Sequence, residues 1–140
     1  MIAVRQFVPD DLFALALQPR QRQVFMATTE YAESLKEAGP AFSLTAPDGT
    51  LLGCVGIMYQ WDGYARAYAF FDERAGKYML SIVRQAKAWL QARPERRINT
   101  AVETDFVQGL KLTRALGFRF EGVMRQYFGK RDCALFARVN

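Results

Sequence analysis

The 140-residue chain contains no histidine. That absence excludes a Ser-His-Asp triad, a Cys-His dyad and every His-ligated metal site. Carboxylates, Tyr, Lys, Cys, Ser, Thr and backbone amides are left to carry any chemistry, and no metal is expected. Cysteine is scarce as well: Cys54 and Cys133 stand far apart, each within an apolar run. Two buried, reduced thiols in a cytoplasmic protein fit that pattern better than a disulfide framework. No apolar run approaches the ~20 residues of a membrane span, and the first residues lack the apolar stretch of a secretion signal, so no membrane partner is expected. Repeats, low-complexity segments and linkers are also missing. The expectation is a single domain over residues 1–140.

What is present has the balance of a globular chain, with 51% hydrophobic and 24% charged residues. A domain of this size buries roughly 68–70% of the surface its unfolded chain exposes, enough for a core without staples. The net charge of +5 is uneven. Residues 1–70 hold five basic and seven acidic residues, a net of −2, and residues 71–140 hold fourteen against seven, a net of +7. The C-terminal half therefore either meets an anionic ligand or presents a solvated basic face. Arg93, Arg96, Arg97, Arg119, Arg125, Lys130 and Arg131 could gather as a nucleic-acid patch, but no reading motif accompanies them and nucleic acid is not the expected partner.

The patterning predicts a strand over 2–7, then a helix opened by Pro9-Asp10-Asp11 and running to about Gln18, where Pro19 interrupts it. A second helix fits 20–38, with Val24, Phe25, Thr28, Tyr31, Ala32 and Leu35 on one face and Gly39-Pro40 as its stop. Strands over 41–46, 50–59 and 64–71 follow, joined at Pro47-Asp48-Gly49 and Asp62-Gly63. Met79, Leu80, Ile82, Val83, Ala86, Trp89 and Leu90 give the apolar stripe of a helix over 76–92, which Pro94 ends. A strand over 98–103 leads to a helix that Thr104 or Asp105 can cap and Gly117 closes. Two last strands span 118–128 and 133–139. The order is β-α-α-β-β-β-α-β-α-β-β. The unit 64–71, 76–92, 98–103 is a βαβ crossover and demands a parallel pair. The expected class is α/β (α+β): a mixed, mostly antiparallel sheet with helices on both faces and one central parallel crossover.

That order resembles the GNAT fold, the superfamily of acetyl-CoA-dependent N-acetyltransferases, over nearly the whole chain. The C-terminal segment carries the likeness best. Arg114-Ala115-Leu116-Gly117-Phe118 looks like the family's fourth helix ending in "LGF", and Glu121-Gly122-Val123-Met124-Arg125 like the "EG-x-x-R" that follows. Asp132 with Ala134-Leu135-Phe136 is similar to the closing strand of the RimJ-like branch. The short helical opening and the length also resemble small GNAT-like proteins of tailed phages, some of them virion components.

The resemblance implies acetyl-CoA as cosubstrate, its pyrophosphate at the loop that opens the third helix and its pantetheine arm between strands four and five. The positions so implied are Phe70, Phe71, Asp72, Arg74, Gly76, Lys77 and Tyr78. The chemistry of the residues agrees: a helix N-terminus offers amides and a positive dipole end, and Arg74 and Lys77 add charge. Gly76 reads equally as a close backbone approach or as a plain strand-to-helix turn. The family pattern there is [Q/R]-x-x-G-x-[G/A]. With Arg74 in the first place, Lys77 and Met79 fill the glycine places; with Gly76 in the first glycine place, Tyr78 fills the second.

Many relatives place Asn early in the fourth helix and Tyr five residues before the Phe of "LGF"; here those places hold Phe106 and Thr113. A Thr hydroxyl donates a hydrogen bond readily and a proton poorly. Glu103, at the end of the fifth strand, is the candidate base for the amine, followed by Asp72 and Glu73. Each of these reads alternatively as a cap or a surface ion pair. Tyr59, Tyr64 and Tyr127 are candidate substitute acids. The implied activity is acetyl transfer from acetyl-CoA to the amine of a small molecule, a protein N-terminus or a lysine. The alternative is a catalytically degenerate GNAT-fold binding protein, virion-associated rather than cytoplasmic. A homodimer through the C-terminal strands would use aromatics such as Tyr127 and Phe128.

Overall fold

The computed structural model describes residues 1–17, 21 and 28–140. Its elements are β1 (Ala3–Gln6), α1 (Pro9–Ala14), α2 (Thr29–Ala38), β2 (Ala41–Thr45), β3 (Leu51–Trp61), β4 (Tyr64–Phe71), a 3-10 turn (Ala75–Tyr78), α3 (Met79–Gln91), β5 (Arg97–Glu103), α4 (Val107–Ala115), β6 (Arg119–Phe128) and β7 (Arg131–Val139). The strands form one seven-stranded sheet in the order β1-β2-β3-β4-β5-β7-β6. It is mostly antiparallel, with β4 and β5 the parallel pair that the crossover demands. The last strand, not the sixth, lies beside β5, from Arg97↔Val139 to Glu103↔Cys133.

Three expected boundaries moved, each for a local reason. The first helix stops at Ala14 rather than about Gln18, because the chain is captured by the end of β4: Leu15 turns extended and Leu17 bridges Asp72. The third helix opens with the 3-10 turn and becomes α-helical only at Met79. The fourth is capped at Phe106 with no side-chain cap, not at Thr104 or Asp105, because the Phe106 N–H closes a turn onto the Glu103 carbonyl at 3.0 Å. The second helix, expected over 20–38, is interrupted at Thr28, which is extended and caps α2 by accepting the Tyr31 N–H on its hydroxyl at 3.1 Å; Val24 and Phe25 lie outside the described residues.

The chain divides into two compact units, Met1–Tyr59 with Ala67–Ile82, and Gln60–Arg66 with Val83–Asn140. In the first, Phe7, Leu12, Leu15 and Leu17 meet Ala32 and Leu35 of α2, Ala41 and Cys54 in one apolar cluster. Asp11 is buried at its edge, held by Arg5 at 2.6 and 2.9 Å and by the Ser43 hydroxyl at 2.6 Å. Burial pushes that carboxyl up, but the Arg5, Ser43 and Val8 hydrogen bonds outweigh it and hold the pKa below the usual range. Glycine in the middle of β3 has a packing cause: a Cβ on Gly56 would stand 2.5 Å from the Pro40 carbonyl oxygen and from the Tyr68 hydroxyl.

The second unit is built on β5, β7 and β6 with Ile98, Phe118, Phe136 and Ala137 buried. Phe120 meets Phe136 edge-on at 5.7 Å, and the Arg114 guanidinium lies over the Phe136 ring. Both cysteines, one in each unit, are free and buried. On α4, the Phe106 ring and Val102 press so closely on Gly109 that a Cβ there would stand 2.7 and 2.9 Å from their carbons. Gly→Ala inside a helix ordinarily gains up to ~1 kcal/mol. Here overpacking wins, and Gly109→Ala is expected to cost about 1–2 kcal/mol in urea denaturation. Measured against Phe106→Ala alone, the added cost of Gly109→Ala should be smaller, because the ring contact is gone and only the Val102 contact remains.

Candidate active site

β4 and β5 pair only at Tyr64↔Arg97, Ala65↔Ile98 and Arg66↔Asn99, although β4 runs on to Phe71 and β5 to Glu103. Of the residues singled out from sequence, Phe70 to Tyr78 lie at the end of β4 and in the turn after it, and Glu103 ends β5; Tyr59 lies in β3, Tyr64 opens β4, Thr113 lies in α4 and Tyr127 in β6.

In the first unit the seven expected cofactor positions form one continuous stretch. The Phe70 ring meets Tyr31 at 6.4 Å and Tyr68 at 5.8 Å, and Phe71 is buried. Asp72, at the strand's end, is fully buried and binds four donors. They are the Ala16 N–H at 2.9 Å, the Arg74 N–H at 2.9 Å, and Arg74 Nε and Nη2 at 2.8 and 3.1 Å. The Arg74 guanidinium is thus anchored at its base, with its remaining donors facing outward. Gly76 and Lys77 are exposed, and a Cβ on Gly76 would meet nothing. No packing contact in the described residues demands glycine there. The Lys77 ammonium lies over the Tyr78 ring.

One residue of this site escaped sequence reasoning. The Gln21 carboxamide docks on β4 like a short strand: Nε2 donates to the Ala69 carbonyl at 2.7 Å, and the Phe71 N–H donates to Oε1 at 2.9 Å. This orientation of the amide satisfies both partners, and the flipped one satisfies neither. The Asp72 N–H points to β3, where it meets the Leu52 carbonyl, and the Gly63 carbonyl receives the Arg97 N–H of β5. By the strand's alternation, Ala69 and Phe71 direct their polar groups to the edge that β5 serves in the paired part. The contact spans 48 and 50 residues in sequence, so no local pattern announces it.

In the second unit Glu103 ends β5 with its carboxylate held by Arg131 at 2.9 Å. Thr113 is buried, and its hydroxyl donates to the Gly109 carbonyl one helical turn back at 2.7 Å, so its proton is committed within α4. Phe106, at the family's Asn place, packs on Gly109. Of the candidate acids, Tyr64 donates to Asn99 Oδ1 at 3.0 Å, and the Tyr127 oxygen accepts from Arg66 Nη2 at 2.6 Å. Tyr59, in the first unit, is half exposed. Arg93 pairs with Glu95, and Arg97 with Glu121, so part of the basic C-terminal half is already neutralised. Among the described residues no three His, Cys, Asp or Glu side chains gather as a metal site needs, and no helix is long and apolar enough to cross a membrane.

Solved structures of the same architecture exist. Ard1 from Thermoplasma volcanium superposes with a TM-score of 0.80 at 17% identity, over 99% of this chain and 97% of that one. An N152L mutant of the spermidine N-acetyltransferase SpeG from Vibrio cholerae gives 0.73 at 16%, over 99% and 93%. A GNAT superfamily phosphinothricin acetyltransferase from Sinorhizobium meliloti, solved in complex with AcCoA, gives 0.72 at 15%, over 99% and 88%. No family model and no curated protein matches the sequence. The fold is that of the GNAT acetyltransferases.

Arg74 holds the Asp72 carboxyl down at about 2, against burial that pushes it up, and the Arg74 and Ala16 amides add to the effect. A depressed folded-state pKa contributes stability that is full above about pH 5 and lost as pH falls toward 2. Asp72→Asn is expected to cost about 2–3 kcal/mol at pH 7, since it leaves buried donors without their charged acceptor. The cost should shrink in urea denaturation at pH 3, because there the unfolded-state carboxyl is already mostly protonated and the wild type loses part of its advantage.

Proposed function

We propose that the protein is an N-acetyltransferase that uses acetyl-CoA and an amine acceptor. The observation that carries this reading is the Gln21 clasp. The β4 edge at Ala69 and Phe71 accepts an amide in the manner of an added strand, with one C=O and one N–H spaced for it. The pantetheine arm of acetyl-CoA is an extended chain with two such amides. The same edge fits it once the carboxamide has moved aside. Arg74, its base fixed on Asp72, and the open, exposed Gly76 and Lys77 would hold the pyrophosphate.

When bound, acetyl-CoA supplies an activated acetyl group: the amine nitrogen's electron pair makes the new C–N bond, the C–S pair leaves on sulfur, and sulfur takes up, through water, the proton that the acylated nitrogen sheds. The chain's part is to bind, orient and move the amine's proton. Glu103, positioned by Arg131, takes that proton directly or through a water. Thr113 is assigned a structural role, as its hydroxyl is already used inside α4. That engagement, with Phe106 in the Asn place, also favours the second reading of a GNAT-fold protein that binds without turning over.

Calorimetric titration with acetyl-CoA decides between them in part: no heat at millimolar cosubstrate would sink the first. Gln21→Ala removes the competing amide and is expected to tighten acetyl-CoA binding by about five- to tenfold, the worth of one or two net hydrogen bonds. Glu103→Gln is expected to lower kcat by ~100-fold or more near pH 7. The deficit should narrow at higher pH, where the amine arrives already deprotonated.

A further inference from the structure

We propose that Arg66, set in place by Tyr127, binds a carboxylate on the acceptor, so that the amine acetylated is amino-acid-like. The inference rests on the acetyltransferase reading and names the substrate class of its acceptor side.

Arg66 lies at the last paired position of β4, opposite Asn99, on a strand flanked by β3 and β5. Its side chain therefore rises from the face of the sheet rather than from its rim. Arg5, Arg74, Arg93, Arg97 and Arg131 each pair with a carboxylate. Among the described residues Arg66 has none, and residues 18–20 and 22–27 contain no Asp or Glu. Its side-chain partner is the neutral Tyr127 phenol. A half-buried guanidinium without a counter-charge is a receptor for one.

The groups around it are donors. The Tyr127 oxygen accepts from Arg66, which leaves its own proton to donate. Asn99 stands beside Arg66 on the same face; its Oδ1 is used by Tyr64, and among the described residues its Nδ2 has no acceptor. A guanidinium, a phenol O–H and an amide NH2 with no acceptor-only group among them suit a monoanion. The carboxylate on this face of β5 is Glu103, two side-chain positions beyond Asn99 and bound to Arg131. An acceptor anchored by its carboxylate at Arg66 would thus present its ammonium along the same face toward the proposed base.

The backbone is bent to deliver Tyr127. Gln126 is the non-glycine residue with positive φ among those described, at 50°. It lies in the register shift of β6 between Met124 and Phe128, where the Asp132 carboxylate accepts its N–H at 2.8 Å. A bulge with a left-handed residue re-aims the next side chain, and here that side chain reaches Arg66 across 61 residues of sequence. Strain of this kind persists where the surrounding structure fixes it, and it gathers at ligand clamps.

The test follows thiol release from acetyl-CoA by the full chain, with amino acids and their carboxamides as paired acceptors and spermidine as a polycation. The amino acid is expected to exceed its carboxamide at least about tenfold in kcat/KM, and spermidine to be poor, because a charged hydrogen-bonded partner is lost or opposed. Arg66→Gln should raise the amino-acid KM by about tenfold or more, leave kcat and the acetyl-CoA KM within about threefold, and erase the discrimination. Tyr127→Phe should move the KM the same way by less. The exposed Arg84→Gln serves as the unchanged control. A wild-type preference for the carboxamide or spermidine overturns the proposal. So does an Arg66→Gln defect confined to acetyl-CoA. Should no acceptor be turned over and acetyl-CoA not bind, the acetyltransferase reading falls instead. Calorimetric titration with an N-acetyl amino acid against its carboxamide still reads Arg66: equal binding, or binding unchanged in Arg66→Gln, refutes the carboxylate site.

Discussion

The buried carboxylate of Asp72 is the interaction on which the first unit's chemistry depends. It takes the Ala16 N–H from one direction and the Arg74 N–H and guanidinium from another, while the Glu73 N–H returns to the Ala16 carbonyl at 2.7 Å. A single side chain thereby stops α1 at Ala14, draws Leu17 against the end of β4, and fixes the base of the arginine expected at the phosphate loop. A buried charge is tolerated only where hydrogen bonds replace its water, and here each oxygen is supplied twice. The same tie holds the chain four to five residues before Gln21, the residue whose amide reaches back to Ala69 and Phe71.

β4 therefore does two jobs along its length. Over Tyr64–Arg66 its edge is spent on β5. At Ala69 and Phe71 the same edge takes a side-chain amide instead of a strand. A main-chain edge has no preference between a strand, a carboxamide and an amide-bearing ligand, because all three offer the same donor and acceptor. What differs is how many contacts each adds. A side-chain amide supplies one pair, and an extended ligand with further anchors at the turn would supply more. On the proposed reading, that difference would let an occupied edge still act as a binding edge.

Much of the architecture could be read from the residues. Period-two alternation placed β4 at 64–71 and Asp62-Gly63 placed the turn before it, while the apolar stripe from Met79 to Leu90 marked the crossover helix and so the parallel pair. Those are local signals, and the structure keeps them. What could not be read is non-local. Asp10 and Asp11 mark where α1 begins, but its end is set by a carboxylate 56 residues beyond Ala16. The caps offered by Thr104 and Asp105 lost to a backbone turn, Phe106 onto Glu103. Thr113 sits at the place a catalytic hydroxyl would take, yet its bond to Gly109 emerges only from helix geometry. The stretch from Phe70 to Tyr78 could be singled out from its place in the motif; Gln21 and the Arg66–Tyr127 contact could not, since neither partner has a sequence neighbour that reports it.

A count of charge does not by itself place an anion site. The +7 of residues 71–140 suggests an anion site there. In the fold, Asp72, Glu95, Glu103 and Glu121 of that half are each taken by one of its arginines, with partners two to 28 residues apart. Arg66, a strand cation with no carboxylate partner among the described residues, belongs to the half with net −2. Net charge sums over residues that neutralise one another locally, whereas a binding site is defined by the charge left unneutralised where water is partly excluded. On the proposal that Arg66 receives the acceptor's carboxylate, one guanidinium placed mid-sheet with donors on either side would weigh more in recognition than a surplus of bases spread over an exposed surface.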